Sequence, residues 1–152
     1  MNPNVNILVA EDSLVDIKIM QRAFQKTRLP HPIFFVRDGE EAIDFLMRKG
    51  RYSDPDSSPR PDLILLDIKM PRATGTEVLR AIKNEPALRK IPVTMLTTSG
   101  QSEDINDCYN LGANSYIVKP LDFDAFSRAV EAFCFYWTSI AVLPNGVGLG
   151  RE

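Results

Sequence analysis

Short apolar runs alternate with stretches whose apolar residues recur every three or four positions, and the alternation repeats five times along the chain. The runs read as strands and the periodic stretches as amphipathic helices, the pattern that a parallel α/β sheet with helices on both faces requires. "VNILVAE" opens the series as a strand, and the helix after it carries Leu14, Ile17, Met20 and Phe24 on one face. "IFFVR" is the second strand, followed by a helix carrying Ala42, Ile43, Leu46 and Met47. Residues 50–61, "GRYSDPDSSPRP", then break both periods with proline, serine and aspartate, which predicts a surface loop. The third strand, "DLILLD", is nearly continuous aliphatic, which places it mid-sheet with both faces covered. Val78, Leu79 and Ile82 mark a third helix that stops near Pro86, and "IPVTMLT" is strand four. The fourth helix is a weak pattern, with Ile105, Tyr109 and Leu111 among polar residues, and it ends at Gly112, which suits a left-handed cap. "SYIVK" is strand five. The last helix starts near Asp122 or Phe123 and repeats Phe123, Phe126, Val130, Phe133 or Cys134, and Trp137. Residues 1–143 therefore read as one domain, and the glycine-rich 144–152 as a mobile tail.

Composition narrows the function. The 152 residues are 44% hydrophobic and 25% charged, ordinary globular material with enough apolar surface for a real core. A net charge of −2 gives no basic field for nucleic acid or an anionic membrane, so neither is a predicted partner. The sequence contains neither a long apolar span nor the basic and apolar regions of a secretory signal, which predicts a cytoplasmic protein. Cys108 and Cys134 lack metal-ligand spacing and read as buried thiols, and His31, between two prolines, reads as a turn residue without a nucleophile partner.

The polar residues that matter fall at strand ends. In an open parallel sheet, ligands bind outside the carboxyl ends of the strands. Strand one ends with Glu11 and Asp12, strand three with Asp67, strand four with Thr97 and Thr98, and strand five with Lys119 before Pro120. Each has an ordinary explanation alone: Ser13 and Asp16 have capping-box spacing, Thr97 suits any strand, and a lysine commonly reaches for water. Together, three carboxylates at one edge repel one another unless a cation is present. The cation implied is Mg²⁺, which takes oxygen ligands and is usually held by one or two carboxylates plus phosphate. Asp12 and Asp67 are the direct candidates, with Glu11 acting through water, Lys119 opposing the charge and Thr97 adding a hydroxyl. No Gly-rich nucleotide loop is present, so a carboxylate, Asp67, is the candidate phosphoryl acceptor.

The motifs "VAEDS", "LLDIKMPRATG", "MLTTS" and "YIVKP" together resemble the receiver domain of bacterial response regulators over about residues 5 to 140. That resemblance implies a flavodoxin-like, doubly wound five-stranded sheet of order 2-1-3-4-5. It implies that Asp67 accepts a phosphoryl group from a sensor kinase phosphohistidine. Mg²⁺ would be bound by Asp12, Asp67 and the backbone carbonyl of Lys69, with Glu11 reached through water. Lys119 would pair with the phosphoryl oxygens, aimed inward by a cis peptide to Pro120. Thr97 would move toward the phosphate and Tyr116 would turn inward, changing the surface of helix four, strand five and helix five. Pro71 and Gly75 shape the loop after Asp67.

Two particulars point to a subgroup. The 50–61 insert is longer than connections of this kind usually are, and its ordinary reading is a neutral loop. The carboxyl end, "AVEAFCFYWTSIAVLPNG", wraps the last helix in aromatics, with Phe135 and Tyr136 pointing away from the face of Trp137. That predicts a partner surface at Phe135, Tyr136 and Trp137, with a homodimer favoured. Both features resemble the small single-domain response regulators of bacterial and cyanobacterial phytochromes, which implies a phytochrome-type kinase. A chemotaxis-like or phosphorelay receiver with another kinase, or with a histidine phosphotransfer protein, is the alternative. The chain ends soon after the fifth helix, which predicts output by docking, not by an attached effector, and no enzymatic turnover. A phosphatase of the haloacid dehalogenase type needs D-x-D, and Lys69 stands at the second position. A flavin binder is disfavoured by the acidic cleft, and a docking-only pseudo-receiver by the presence of every acceptor-site residue.

Overall fold

A computed structural model describes residues 4–27 and 31–144. Five parallel strands, β1 (Ile7–Ala10), β2 (Ile33–Val36), β3 (Leu63–Leu66), β4 (Val93–Thr97) and β5 (Ser115–Val118), pair in the order β2-β1-β3-β4-β5. Five helices connect and follow them: α1 (Leu14–Lys26), α2 (Gly39–Met47), α3 (Gly75–Asn84), α4 (Ser102–Leu111) and α5 (Phe123–Phe135). The doubly wound order is thus as anticipated. Every residue of the three inner strands is buried, and the edge strands β2 and β5 are half-covered. In register, Val9 lies opposite both Phe35 and Leu65, and Met95 opposite both Leu66 and Tyr116.

Because strand side chains alternate, each face of the sheet carries its own core. Leu8, Ile64, Leu66, Val93 and Met95 pack under α2, α3 and α4 against Phe45, Leu46, Leu79, Ile82 and Cys108. Ile7, Val9, Leu63, Leu65 and Leu96 pack under α1 and α5 against Met20, Phe24, Phe126, Val130, Phe133 and Cys134. Burying such a side chain contributes about 1.5–3 kcal/mol, so the two layers hold the sheet between them.

Several details differ from the sequence reading. Leu14 is 55% exposed, because the first residue of α1 lies past the sheet edge and has nothing to pack on; the inward face is Ile17, Met20, Ala23 and Phe24. In α2 the buried face is Ala42, Phe45 and Leu46, with Ile43 and Met47 only half-covered. The Phe45 ring lies 5.6 Å from that of Phe34 and 5.1 Å from that of Tyr52. Tyr52 belongs to the 50–61 insert, which also buries Ser58 and Pro61 and so is anchored at several points. Gly112 caps α4 with φ 109°, a left-handed conformation that a side chain would strain. After Phe135 the last helix continues as a π-turn over Tyr136–Ile140. Thr138 is buried there and its hydroxyl donates back to the Cys134 carbonyl at 2.6 Å, while the Ala141 N–H reaches the Tyr136 carbonyl. Trp137 packs half-buried on the core beside Tyr136, so the outward apolar residues at this end are Phe135, Tyr136, Ile140 and Val142. No described helix is long and apolar enough to cross a membrane. Of residues 144–152, read as a tail, only Pro144 lies within the described residues.

Candidate functional site

Three residues each extend a strand by one position and are aimed outward by it. The Glu11 N–H donates to the Val36 carbonyl at 2.9 Å, the Asp67 N–H to Ala10 at 3.0 Å and the Lys119 N–H to Thr97 at 2.7 Å. Continuing the ladder fixes their backbones, and their side chains converge at the carboxyl edge. The Lys119 Nζ lies 2.6 Å from Glu11 Oε1, 2.8 Å from Asp16 Oδ2 and 3.3 Å from Asp67 Oδ2. Glu11, Asp67 and Lys119 are all buried.

One ammonium does not neutralise three carboxylates. Burial pushes the Glu11 carboxyl up to about 7; the Asp67 charge adds to this, and the bonds from Lys119 and the Ser13 N–H work against it. Burial also disfavours the charged form of Lys119, but hydrogen bonds to Asp16 and Glu11 and the charge of Asp67 outweigh it and raise its pKa above the ordinary lysine value. The lysine is therefore a permanent cation at neutral pH. Beside it, Thr97 is fully buried, and its Oγ1 has no hydrogen-bond partner among the described residues. Leaving a buried hydroxyl unmet costs about 1–3 kcal/mol, which marks it as a group kept for something else.

The loop after Asp67 turns back sharply. The Gly75 N–H donates to the Ile68 carbonyl at 2.8 Å, and a Cβ at Gly75 would stand 2.0 Å from the Asp67 carbonyl oxygen, so only glycine permits this close approach. Lys69 and Pro71 are exposed on the same loop, and the Pro71 carbonyl accepts from the N–H of Gly39 at the start of α2. Behind the site, the half-buried Tyr116 donates its hydroxyl to the Ser99 carbonyl at 2.8 Å, and the Ser99 hydroxyl bonds Asp104 in the first turn of α4.

Two sequence-level readings change here. The peptide from Lys119 to Pro120 is trans, there being no cis bond among the described residues; the lysine reaches the site in that form. Asp12 is not among the carboxylates around Lys119: it is exposed, and its carbonyl accepts from Arg37 Nη2 at 3.0 Å. Among the described residues no three of His, Cys, Asp or Glu stand together as a metal-binding group, and the buried acids are met by the lysine. The residue the sequence did not place in the site is Asp16. Ser13 caps α1, accepting from the Asp16 N–H at 3.2 Å, but the capping box is only half made because the Asp16 carboxylate turns to Lys119. Its signal was an acid in the first turn of the helix that follows an acidic strand end, and the cap explained it well enough to hide it. Cys108 and Cys134 are free and buried, and His31 accepts the Val5 N–H at Nδ1, 2.8 Å away.

Fold and site together define a doubly wound α/β domain with an acidic carboxyl edge closed by a lysine. Residues 7–131 match the response regulator receiver domain, and the chain belongs to that family. Response regulator Rcp1 of Synechocystis sp. is 37% identical over 143 residues, which cover 94% of this chain and 95% of that protein. The phosphorylated cyanobacterial phytochrome response regulator RcpA superposes with a TM-score of 0.89 at 39% identity, over 93% of this chain and 99% of that one. The Mn²⁺-bound form of Rcp1 superposes with a TM-score of 0.86 at 37% identity, again over 93% and 99%.

Proposed function

We propose that this protein is a single-domain response regulator that accepts a phosphoryl group on Asp67 from a phosphohistidine of a sensor histidine kinase. The observation that carries the reading is the buried Asp67 carboxylate at the end of a central strand, with the Lys119 ammonium 3.3 Å away and an unpaired Thr97 hydroxyl at the next strand end. An Asp67 carboxylate oxygen attacks phosphorus, the bond from phosphorus to the kinase imidazole breaks, and the imidazole leaves neutral, protonated on its other nitrogen. Lys119 and Thr97 meet the charge on the transferred oxygens.

The donors present fit Mg²⁺. Hard carboxylate oxygens in excess over a single ammonium suit it. Asp12, Asp67 and the Lys69 carbonyl would hold it, with Glu11 reached through water, and it would neutralise charge on the acceptor and the phosphoryl oxygens. That Rcp1 is described in an Mn²⁺-bound form supports a divalent site here.

Likeness to phytochrome response regulators supports a phytochrome-type kinase. Output then runs through contacts that change as Thr97 and Tyr116 respond to the phosphate. The exposed Phe135 and Tyr136 at the end of α5 support a homodimer, and the cytoplasm is the compartment in which a kinase would be met. The test is incubation with Mg²⁺ and acetyl phosphate, read by intact mass. One added phosphoryl group on the parent and none on Asp67→Asn is the expected result; no uptake from acetyl phosphate or from a kinase overturns the reading.

A further inference from the structure

Lysine carries three N–H donors on a flexible four-carbon stem, so an ammonium that must meet a reacting group needs its rotation fixed by something else. Here the ammonium stands against three carboxylates at unequal distances, Glu11 Oε1 at 2.6 Å, Asp16 Oδ2 at 2.8 Å and Asp67 Oδ2 at 3.3 Å, and it donates hydrogen bonds to Asp16 and Asp67. The loosest contact is the one to the acceptor.

The backbone arrangement shows how Asp16 comes to be available. In a capping box the acid at the third helical position returns to the N–H of the cap residue. At the start of α1 that N–H, of Ser13, is taken instead by Glu11 Oε2 at 3.0 Å. The Asp16 carboxylate is thereby released, while its own N–H stays fixed on the Ser13 hydroxyl. Glu11 thus serves both residues, one oxygen toward the helix start and the other toward the lysine.

Building on the reading of Asp67 as acceptor, we propose that Asp16 is a positioning residue for phosphoryl transfer: its hydrogen bond, together with the ion pair to Glu11, holds the Lys119 ammonium so that a donor stays aimed at Asp67. Glu11 alone leaves the ammonium free to rotate about a single contact, and two carboxylates from different elements remove that freedom. When the phosphoryl group arrives, only the longest contact has to be exchanged.

Four proteins test this: the parent, Asp16→Asn, Lys119→Ala and the double variant, each followed for the rate of acetyl phosphate uptake with Mg²⁺ by intact mass. Asp16→Asn should slow uptake about tenfold, within the range that small misplacements of a reacting group produce. Its calorimetric affinity for Mg²⁺ alone should stay within about twofold, since Asp16 is not a ligand. In the Lys119→Ala background the second substitution should change nothing, because Asp16 acts only through the lysine. Parental uptake by Asp16→Asn, an equal slowing without Lys119, or a tenfold loss of Mg²⁺ affinity would each overturn the proposal. Asp16→Ser replaces the asparagine variant if the latter does not fold. A parent that takes up no phosphoryl group from any donor overturns the acceptor reading instead, whereas an active parent beside an unaffected variant overturns only the role of Asp16.

Discussion

The two ends of the sheet each hold titratable groups, half-buried at the amino end and buried at the carboxyl end, and they treat them differently. At the amino end His31 Nδ1 accepts the Val5 N–H at 2.8 Å and Asp62 Oδ2 accepts the Asn6 N–H at 2.9 Å, one acceptor to one donor. At the carboxyl end three acids share one lysine and a buried hydroxyl has no partner. Matched donors and acceptors hold a chain in place. A surplus of buried charge does not help folding, and its persistence marks the end where an incoming charged group completes the balance.

The comparison can be broken most directly at Lys119. Lys119→Met leaves Glu11 and Asp67 buried without their cation, and urea unfolding at pH 8 without divalent ions should show a loss of about 3–5 kcal/mol. Mg²⁺ should restore part of it; a loss below about 1 kcal/mol would mean that this end behaves like a surface ion pair. The next effect is the pH dependence of the parent. Between the ordinary Glu value of 4.5 and about 7, folded Glu11 keeps a proton that the unfolded chain has lost. Stability from this group is therefore present below pH 4.5 and falls as pH rises through about 7, by about 3 kcal/mol at most. Asp67→Asn should flatten the fall, because the Asp67 charge is one of its causes.

The amino end carries the opposite sign. Burial lowers the His31 pKa, so stability from this group is present above the ordinary value of 6.5 and lost as pH falls through the folded value. An NMR titration of the single imidazole should give a midpoint below 6.5. His31→Phe leaves the Val5 N–H unpaired and should cost about 1–3 kcal/mol at neutral pH. The smallest change belongs to Leu14→Ala, beside the carboxyl edge but exposed, which should stay within about 0.5 kcal/mol and show that charge, not apolar contact, governs that edge.

Much of this was legible in the sequence for a physical reason. A central parallel strand has no polar face, so "LILL" declares itself, and the first polar residue after such a run falls on the sheet edge. That rule finds Glu11 and Asp67, while Lys119 follows the half-covered edge strand β5. It does not find Asp16, because the contact of Asp16 with Lys119 spans 103 positions and depends on which carboxylate takes the Ser13 N–H. Periodicity placed Leu14 on the inward face of α1, since a helical repeat carries no information about where the sheet beneath it stops. Phe45 was passed over in α2 for the same kind of reason: Phe34 from β2 and Tyr52 from the insert make its pocket, and neither lies in its own helix. The π-turn after Phe135 carries a hydroxyl bond from Thr138 to the Cys134 carbonyl, too local a feature to disturb the apolar pattern.

The wide separation of the site residues along the chain bears on biosynthesis. Asp67 lies 52 positions before the lysine that faces it, and that lysine leaves the ribosome after the first four strands and helices. A nascent chain stopped before residue 119 carries Asp67 without the ammonium that closes its pocket. Under the proposed reading, efficient uptake of a phosphoryl group would thus arise only once β5 joins the sheet, and a stalled or truncated product would respond weakly to its kinase.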